Sequence, residues 1–300
     1  MKAAVLGKPI AHSLSPALHR AAYAMFGFTD WTYDLVECDE AGLADYVNSR
    51  GPDWAGLSLT MPLKRTVLPL LDHVDHLASA TGGANTVVFR PEGRYGYNTD
   101  VQGIVNALAE AVAPPPDTAI GSTVAAGPVT AAGTLTTGSV MIIGAGATAC
   151  SALAAVGELG APGADVVARD PSRTVGLQAT AASLGMKVRL RPWTDLLDPG
   201  APAPDLVIST VPAGAADPYA QRLLVDGQAP RVLLDVVYHP WPTALAEAAA
   251  TLGSVVASGY TMLLHQAAAQ VELMTGKPAP LEAMRAAGQQ ELNRRAHDPL

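Results

Sequence analysis

At 300 residues and 30.8 kDa, with 49% hydrophobic residues, the chain is long enough for two domains that each bury a core. Its formal charge of −8 and pI near 5.3 argue against a nucleic-acid partner, which needs a basic face. No apolar run reaches the roughly 18 residues of a membrane span, and Gly7 and Lys8 interrupt the start too early for a signal peptide. Two cysteines, Cys38 and Cys150, cannot build a disulfide framework or a zinc site, and no other metal-ligand spacing occurs, so a reducing cytoplasm is the expected compartment.

Apolar runs alternate with helical periods through the first hundred residues. Strands are predicted over 3–6, 31–36 and 54–59, and helices over 16–26, 40–48 and 73–80. Residues 86–89 and 95–97 flank Pro91-Glu92-Gly93-Arg94, a hairpin turn by composition, and a helix follows over 101–111. This half reads as α/β with a mixed sheet. Residues 113–138 carry Pro114-Pro115-Pro116, a single charge at Asp117 and no periodicity, and read as a mobile surface insertion or linker. From Val140 the alternation resumes, with strands at 140–143, 165–168, 187–190, 206–209 and 232–236 and a weaker one near 255–257. Helices between them give the pattern of a Rossmann-type, doubly wound parallel sheet. Two helices, 262–274 and 281–295, close the chain with no strand after them, so they are expected to pack back on the first half.

Five stretches carry side chains suited to chemistry. In Val140-Met141-Ile142-Ile143-Gly144-Ala145-Gly146-Ala147, a strand stops at a G-x-G and a helix of small residues begins. That layout lets a backbone approach a pyrophosphate at a helix N-terminus, though the usual third glycine falls at Ala147 or Thr148. In Ser13-Leu14-Ser15-Pro16, Ser15 fits a helix N-cap; Ser13 beside it makes two hydroxyls near a helix start, suited to a small carboxylate. In Thr60-Met61-Pro62-Leu63-Lys64-Arg65, two cations occupy a first helical turn, where the dipole disfavours them, and Lys64 is the one lysine between Lys8 and Lys187. Asn85 of Gly82-Gly83-Ala84-Asn85-Thr86 suits a turn, and Asp100 of Asn98-Thr99-Asp100 suits an N-cap; either also suits a binding role.

Taken in order and spacing, Ser-x-Ser-Pro, Leu-Thr-x-Pro-x-Lys, Gly-Ala-Asn-Thr, Asn-Thr-Asp-x-x-Gly and the following G-x-G resemble the shikimate dehydrogenase family, from Gly7 to about Gln270. The resemblance implies Lys64 and Asp100 as the catalytic pair and Ser13, Ser15, Thr60, Asn85, Tyr238 and Gln266 as substrate ligands, the two serines holding a carboxylate. It implies cofactor contacts at Gly144, Gly146, Ala147, Thr210, Gly259 and Met262. The chain departs from the family at Ser58, often asparagine; at Thr261, often glycine; and at Cys150, where an arginine usually closes the glycine motif.

Cofactor choice falls on Ala168-Arg169-Asp170-Pro171-Ser172-Arg173, after the second strand of the nucleotide half. Arg169 and Arg173 match the family's NADP-type loop and would pair with a 2′-phosphate, while Asp170 leaves NAD open. The implied reaction is NADP-dependent, reversible reduction of 3-dehydroshikimate to shikimate, a step of aromatic amino acid biosynthesis. Quinate or an aminoshikimate-type acid is the nearest alternative substrate, and a nucleotide-binding regulator without turnover or a folate-type dehydrogenase the alternatives of other kinds. The expected organisation is a substrate domain of residues 1–99 completed by 262–300, and an NADP-binding domain of 100–261. Small molecules are the expected partners, without nucleic acid or membrane, in a monomer or homodimer.

Overall fold

The computed structural model describes residues 1–113 and 138–297, so all but the two end residues of the 113–138 insertion lie outside the described residues. The chain divides into two compact units, Met1–Gly103 with Leu263–Leu300, and Ile104–Met262.

The first unit is built on a six-stranded mixed sheet of order β2-β1-β3-β5-β6-β4. Its strands are β1 (Lys2–Gly7), β2 (Thr32–Glu37), β3 (Trp54–Leu59), β4 (His73–Val74), β5 (Thr86–Arg90) and β6 (Gly93–Tyr97). Strand β1 runs parallel to β2 and β3, and β5 runs antiparallel to β3 and β6. Every residue of β3 is buried, as a central strand covered on both faces requires. Helices α1 (Ser15–Met25), α2 (Glu40–Asn48), α3 (Leu63–Thr66), α4 (His76–Thr81) and the start of α5 (Thr99–Val112) connect the strands.

One predicted element changes character. The helix expected over 73–80 starts only at His76, because the Asp75 carboxylate caps it, accepting the N–H groups of Ala78 (2.8 Å) and Leu77 (3.4 Å). His73 and Val74 instead extend and pair with Tyr95 and Gly96.

The second unit holds a wholly parallel sheet of order β12-β11-β10-β7-β8-β9. Its elements are β7 (Val140–Ile143), α6 (Ala147–Glu158), β8 (Gly163–Ala168), α7 (Val175–Leu184), β9 (Lys187–Pro192), β10 (Leu206–Ser209), α8 (Asp217–Asp226), β11 (Val232–Asp235), α9 (Ala244–Thr251) and β12 (Val255–Ser258). Counted along this unit, the order is 6-5-4-1-2-3, the doubly wound topology, and the winding reverses between β7 and β10. Ligands of such sheets bind beyond the carboxyl ends of the strands at that reversal. Alanine-rich α6 buries every residue from Ala149 to Val156, small side chains that let it lie close to the sheet.

The last two helices, α10 (Gly259–Thr275) and α11 (Leu281–His297), supply the first unit. Leu264, Ala267, Val271, Met274 and Met284 share one core with Val5, Leu18, Tyr23 and Val88. Burying Leu264 or Val271 in full stabilises the fold by about 1.5–3 kcal/mol each. Among the described residues no helix is long and apolar enough to cross a membrane.

Candidate active site

Lys64 is placed by its backbone before its side chain is considered. Leu63, fully buried, anchors α3, and the Lys64 carbonyl accepts the N–H of Ala84 at 2.8 Å, tying α3 to the turn that precedes β5. The Lys64 Nζ then meets Asp100 Oδ2 at 2.5 Å, with the two side chains only 16% and 6% exposed. Asp100 is not consumed in capping, since α5 begins one residue earlier, at Thr99. The orphan N–H groups there are taken by Asn85 Oδ1 (from Thr99, 2.8 Å) and Asn98 Oδ1 (from Asp100, 3.2 Å). The carboxylate is thereby left for Lys64.

Asn85, buried at the end of its turn, organises the other side of this pair. Its Nδ2 donates to Asp100 Oδ1 at 2.8 Å and to Thr99 Oγ1 at 2.9 Å, and lies 3.3 Å from Gln266 Oε1. Its own N–H donates to the Tyr97 carbonyl and its carbonyl accepts from Leu59, so β3 and β6 fix it from both sides. Lys64, Asp100, Asn85 and Gln266 therefore form one hydrogen-bonded group. Thr60 follows β3 directly, its carbonyl accepting the N–H of Leu63. Ser13 and Ser15 sit together at the start of α1, where the Ser15 N–H donates to Ser13 Oγ at 3.3 Å. Ser15 is the first helical residue and its hydroxyl caps nothing, so the N-cap reading of Ser15 fails; Leu14 holds the cap position.

A buried layer behind these residues had no local signal in the sequence. Tyr33 Oη donates to Ser58 Oγ (2.6 Å), which donates to Gln270 Oε1 (2.6 Å), and Gln270 Nε2 donates to the Asn85 carbonyl (3.2 Å) and Thr86 Oγ1 (3.0 Å). His19 stacks on Tyr33 at 4.0 Å and its Nε2 lies 3.3 Å from Gln270 Oε1. Burial disfavours its charge and lowers its pKa to about 3, against a smaller opposing pull from Gln270, so the imidazole is neutral at physiological pH. The Tyr33 phenol is pushed up by the same burial. Gln266 and Gln270 are one helical turn apart on α10, the one hint the sequence held.

In the second unit the glycine turn has two different glycines. Gly144 has φ +118°, and a Cβ there would stand 2.3 Å from Thr210 Oγ1, so the site requires glycine. Thr210 in turn donates to the Ile143 carbonyl across the β7–β10 reversal at 2.9 Å. Gly146 has nothing within 4 Å of where a Cβ would be, which leaves open space over the N-terminus of α6, with Ala147 its first residue. An open cradle at a helix N-terminus fits a pyrophosphate. Arg169 and Arg173 lie exposed beyond β8. Asp170 between them is engaged: its Oδ1 accepts the Ser172 N–H (2.9 Å) and hydroxyl (2.7 Å), which hold its carboxyl below the usual range. Two guanidiniums against that one carboxylate leave the loop net positive, which suits a 2′-phosphate. Tyr238 follows β11 half-buried, Gly259 opens α10 and Met262 is buried on it.

Comparison with known proteins bears on this geometry directly. The profile of the shikimate dehydrogenase substrate binding domain matches residues 5–87, and that of the shikimate 5'-dehydrogenase C-terminal domain matches 259–287. A shikimate dehydrogenase (NADP(+)) from a Synechococcus species is 32% identical over 96% of this chain and 94% of its own. The chain belongs to the shikimate dehydrogenase family.

Among solved structures, the shikimate dehydrogenase of Mycobacterium tuberculosis superimposes with a TM-score of 0.78 at 40% identity, over 97% of this chain and 99% of its own. That of Thermus thermophilus, in complex with NADP(H) and shikimate, gives 0.76 at 27% identity over 97% and 99%. Within this chain the departures from the family have structural places. Ser58 joins the buried layer just described, Thr261 pairs with Ser258 Oγ at the start of α10, and Cys150 is enclosed in α6.

Proposed function

We propose that this chain catalyses the reversible, NADP-dependent reduction of 3-dehydroshikimate to shikimate, with Lys64 and Asp100 as its catalytic residues. The observation that carries the roles is the Lys64 Nζ–Asp100 Oδ2 contact of 2.5 Å, braced by Asn85 at Asp100 Oδ1. Hydride arrives from NADPH when it is bound. As the ketone carbon is reduced, negative charge grows on its oxygen, and Lys64 Nζ gives up a proton to that oxygen. In the oxidation direction the Lys64 amine takes the hydroxyl proton. Asp100 orients Lys64 and hydrogen-bonds the substrate hydroxyl, while Asn85, itself 3.3 Å from Gln266 Oε1, holds Asp100 Oδ1. Ser13 and Ser15 hold the substrate carboxylate through their hydroxyls, and Thr60 and Tyr238 contact the ring substituents.

The nucleotide is taken by the second unit: its pyrophosphate over Gly146 and Ala147, its 2′-phosphate at Arg169 and Arg173, and its nicotinamide end near Thr210, Gly259 and Met262. The domains we assign are a substrate domain of 1–99 with 262–300 and an NADP domain of 100–261. Both cysteines are buried thiols, which supports a reducing compartment, the cytoplasm, as the site of action. The test is a side-by-side measurement of kcat/KM for shikimate and quinate with NADP and with NAD. Shikimate with NADP should lead the other three pairs. A lead for quinate would replace the substrate, and a lead for NAD would replace the cofactor.

A further inference from the structure

A guanidinium from the far end of the chain grips the loop that carries Ser13. Arg295, in the last turn of α11, donates from Nη1 to the His12 carbonyl at 2.7 Å and from Nη2 to the Ser13 carbonyl at 3.1 Å. Its Nε donates to Glu291 Oε1 at 2.7 Å, one helical turn back. Glu291 is itself held by Arg294 at both oxygens, each 2.9 Å away, and the two arginines lower its carboxyl pKa to about 2. Arg295 is a planar fork with all three nitrogens engaged, which leaves its side chain few alternative rotamers.

The target of the fork is specific. Two successive carbonyls attached to one rigid group fix the peptide plane between residues 12 and 13 and so the direction in which Ser13 leaves the backbone. Ser13 Oγ then receives the Ser15 N–H at the start of α1, and α1 packs along α11. The grip bridges 282 positions of sequence, and the Ser13 N–H is closed on the Ile10 carbonyl at 2.9 Å. Glu291 stands between Arg294 and Arg295, so this cluster keeps one net positive charge, while the two carbonyl contacts of Arg295 set the shape of the loop.

We infer that Arg295 is a positioning residue for the substrate carboxylate, acting through the Ser13 loop. The inference rests on the proposed role of Ser13. It is tested by steady-state kinetics with shikimate at saturating NADP for Arg295→Ala, Arg295→Lys, Ser13→Ala and the Arg295→Ala/Ser13→Ala pair. The Arg295→Ala variant should raise the KM for shikimate by about three- to tenfold, the worth of one ordinary hydrogen bond, with kcat within about twofold. Arg295→Lys, which reaches one carbonyl but cannot span two, should recover part of the loss. The double variant should match Ser13→Ala alone, because nothing remains for the fork to position. A normal KM in Arg295→Ala beside a raised KM in Ser13→Ala overturns the inference and leaves Ser13 in place. Effects that multiply in the double variant overturn it as well. An unchanged KM in Ser13→Ala removes the role of Ser13 and this inference with it. Should Arg295→Ala fail to fold, Arg295→Lys and Glu291→Gln, each paired with Ser13→Ala, carry the same comparison.

Discussion

Replacing Lys64 by alanine separates chemistry from scaffold. A positioned proton donor contributes roughly 10²–10⁴ in rate, which corresponds to about 3–5.5 kcal/mol of barrier. The carboxylate contact proposed for Ser13 and Ser15 is untouched, so KM for shikimate should move by no more than about threefold. The folded state also loses something, since Asp100 is 6% exposed and keeps Asn85 as a donor but no cation. Stranding a fully buried charge costs about 3–5 kcal/mol; here the opening left by a lysine 16% exposed admits water, so we expect the lower end, about 3 kcal/mol. The assay follows NADPH formation from shikimate and its consumption with 3-dehydroshikimate, alongside a thermal melt. Asp100→Asn and the Lys64→Ala/Asp100→Asn pair complete the set. Because Lys64 and Asp100 act as one unit, the double variant should be little slower than Lys64→Ala. A Lys64→Ala enzyme that melts cooperatively yet turns over within about tenfold of the parent would refute the proton-donor role.

Four further outcomes follow from the same structure. His19 titrates near 3 when folded against 6.5 in a free chain, so between those values the unfolded chain binds a proton that the folded one refuses. Stability should therefore fall as pH drops through that window, by up to about 1.4 kcal/mol per pH unit, and His19→Gln should flatten the fall; equal slopes in melts of the two proteins would contradict it. Gly146→Ala should fold with a near-normal Tm but bind NADP poorly by isothermal titration, its methyl entering the open cradle. Gly144→Ala should lose stability outright, by about 1–3 kcal/mol for its backbone conformation alone, beyond the contact with Thr210. Arg169→Ala/Arg173→Ala should weaken NADP binding by roughly tenfold or more while leaving NAD binding alone, as loss of charge-assisted contacts to a phosphate demands; parallel weakening of both cofactors would remove these residues from the 2′-phosphate.

How much of this was readable before any coordinates depends on whether the cause was local. Strands 54–59, 140–143 and 206–209 come out at their predicted bounds, since each is a short buried run that a polar residue or glycine follows. The Gly144 turn was legible for the same reason. His73 and Val74 were not: two exposed residues become a strand by pairing with β6, a partner about twenty positions away, while Asp75 sets the helix start. Ser15 carried a convincing cap signature yet entered the helix, leaving its N–H to Ser13. The layer of Tyr33, Ser58, His19 and Gln270 was silent because its hydrogen bonds span up to 251 positions and no periodicity records such a contact. Arg295 was silent likewise, an ordinary helix-end arginine until His12 and Ser13 meet it.

The return of α10 and α11 to the first unit has a consequence for biosynthesis. Residues 1–103 leave the ribosome before residues 264–284, so the places of Leu264, Val271 and Met284 in their core stay vacant until those residues follow. Residues 104–262, an unbroken stretch, have every strand of their sheet in hand earlier. The half that emerges first is thus the one that finishes last, with the faces of Leu18 and Val88 uncovered in the interval.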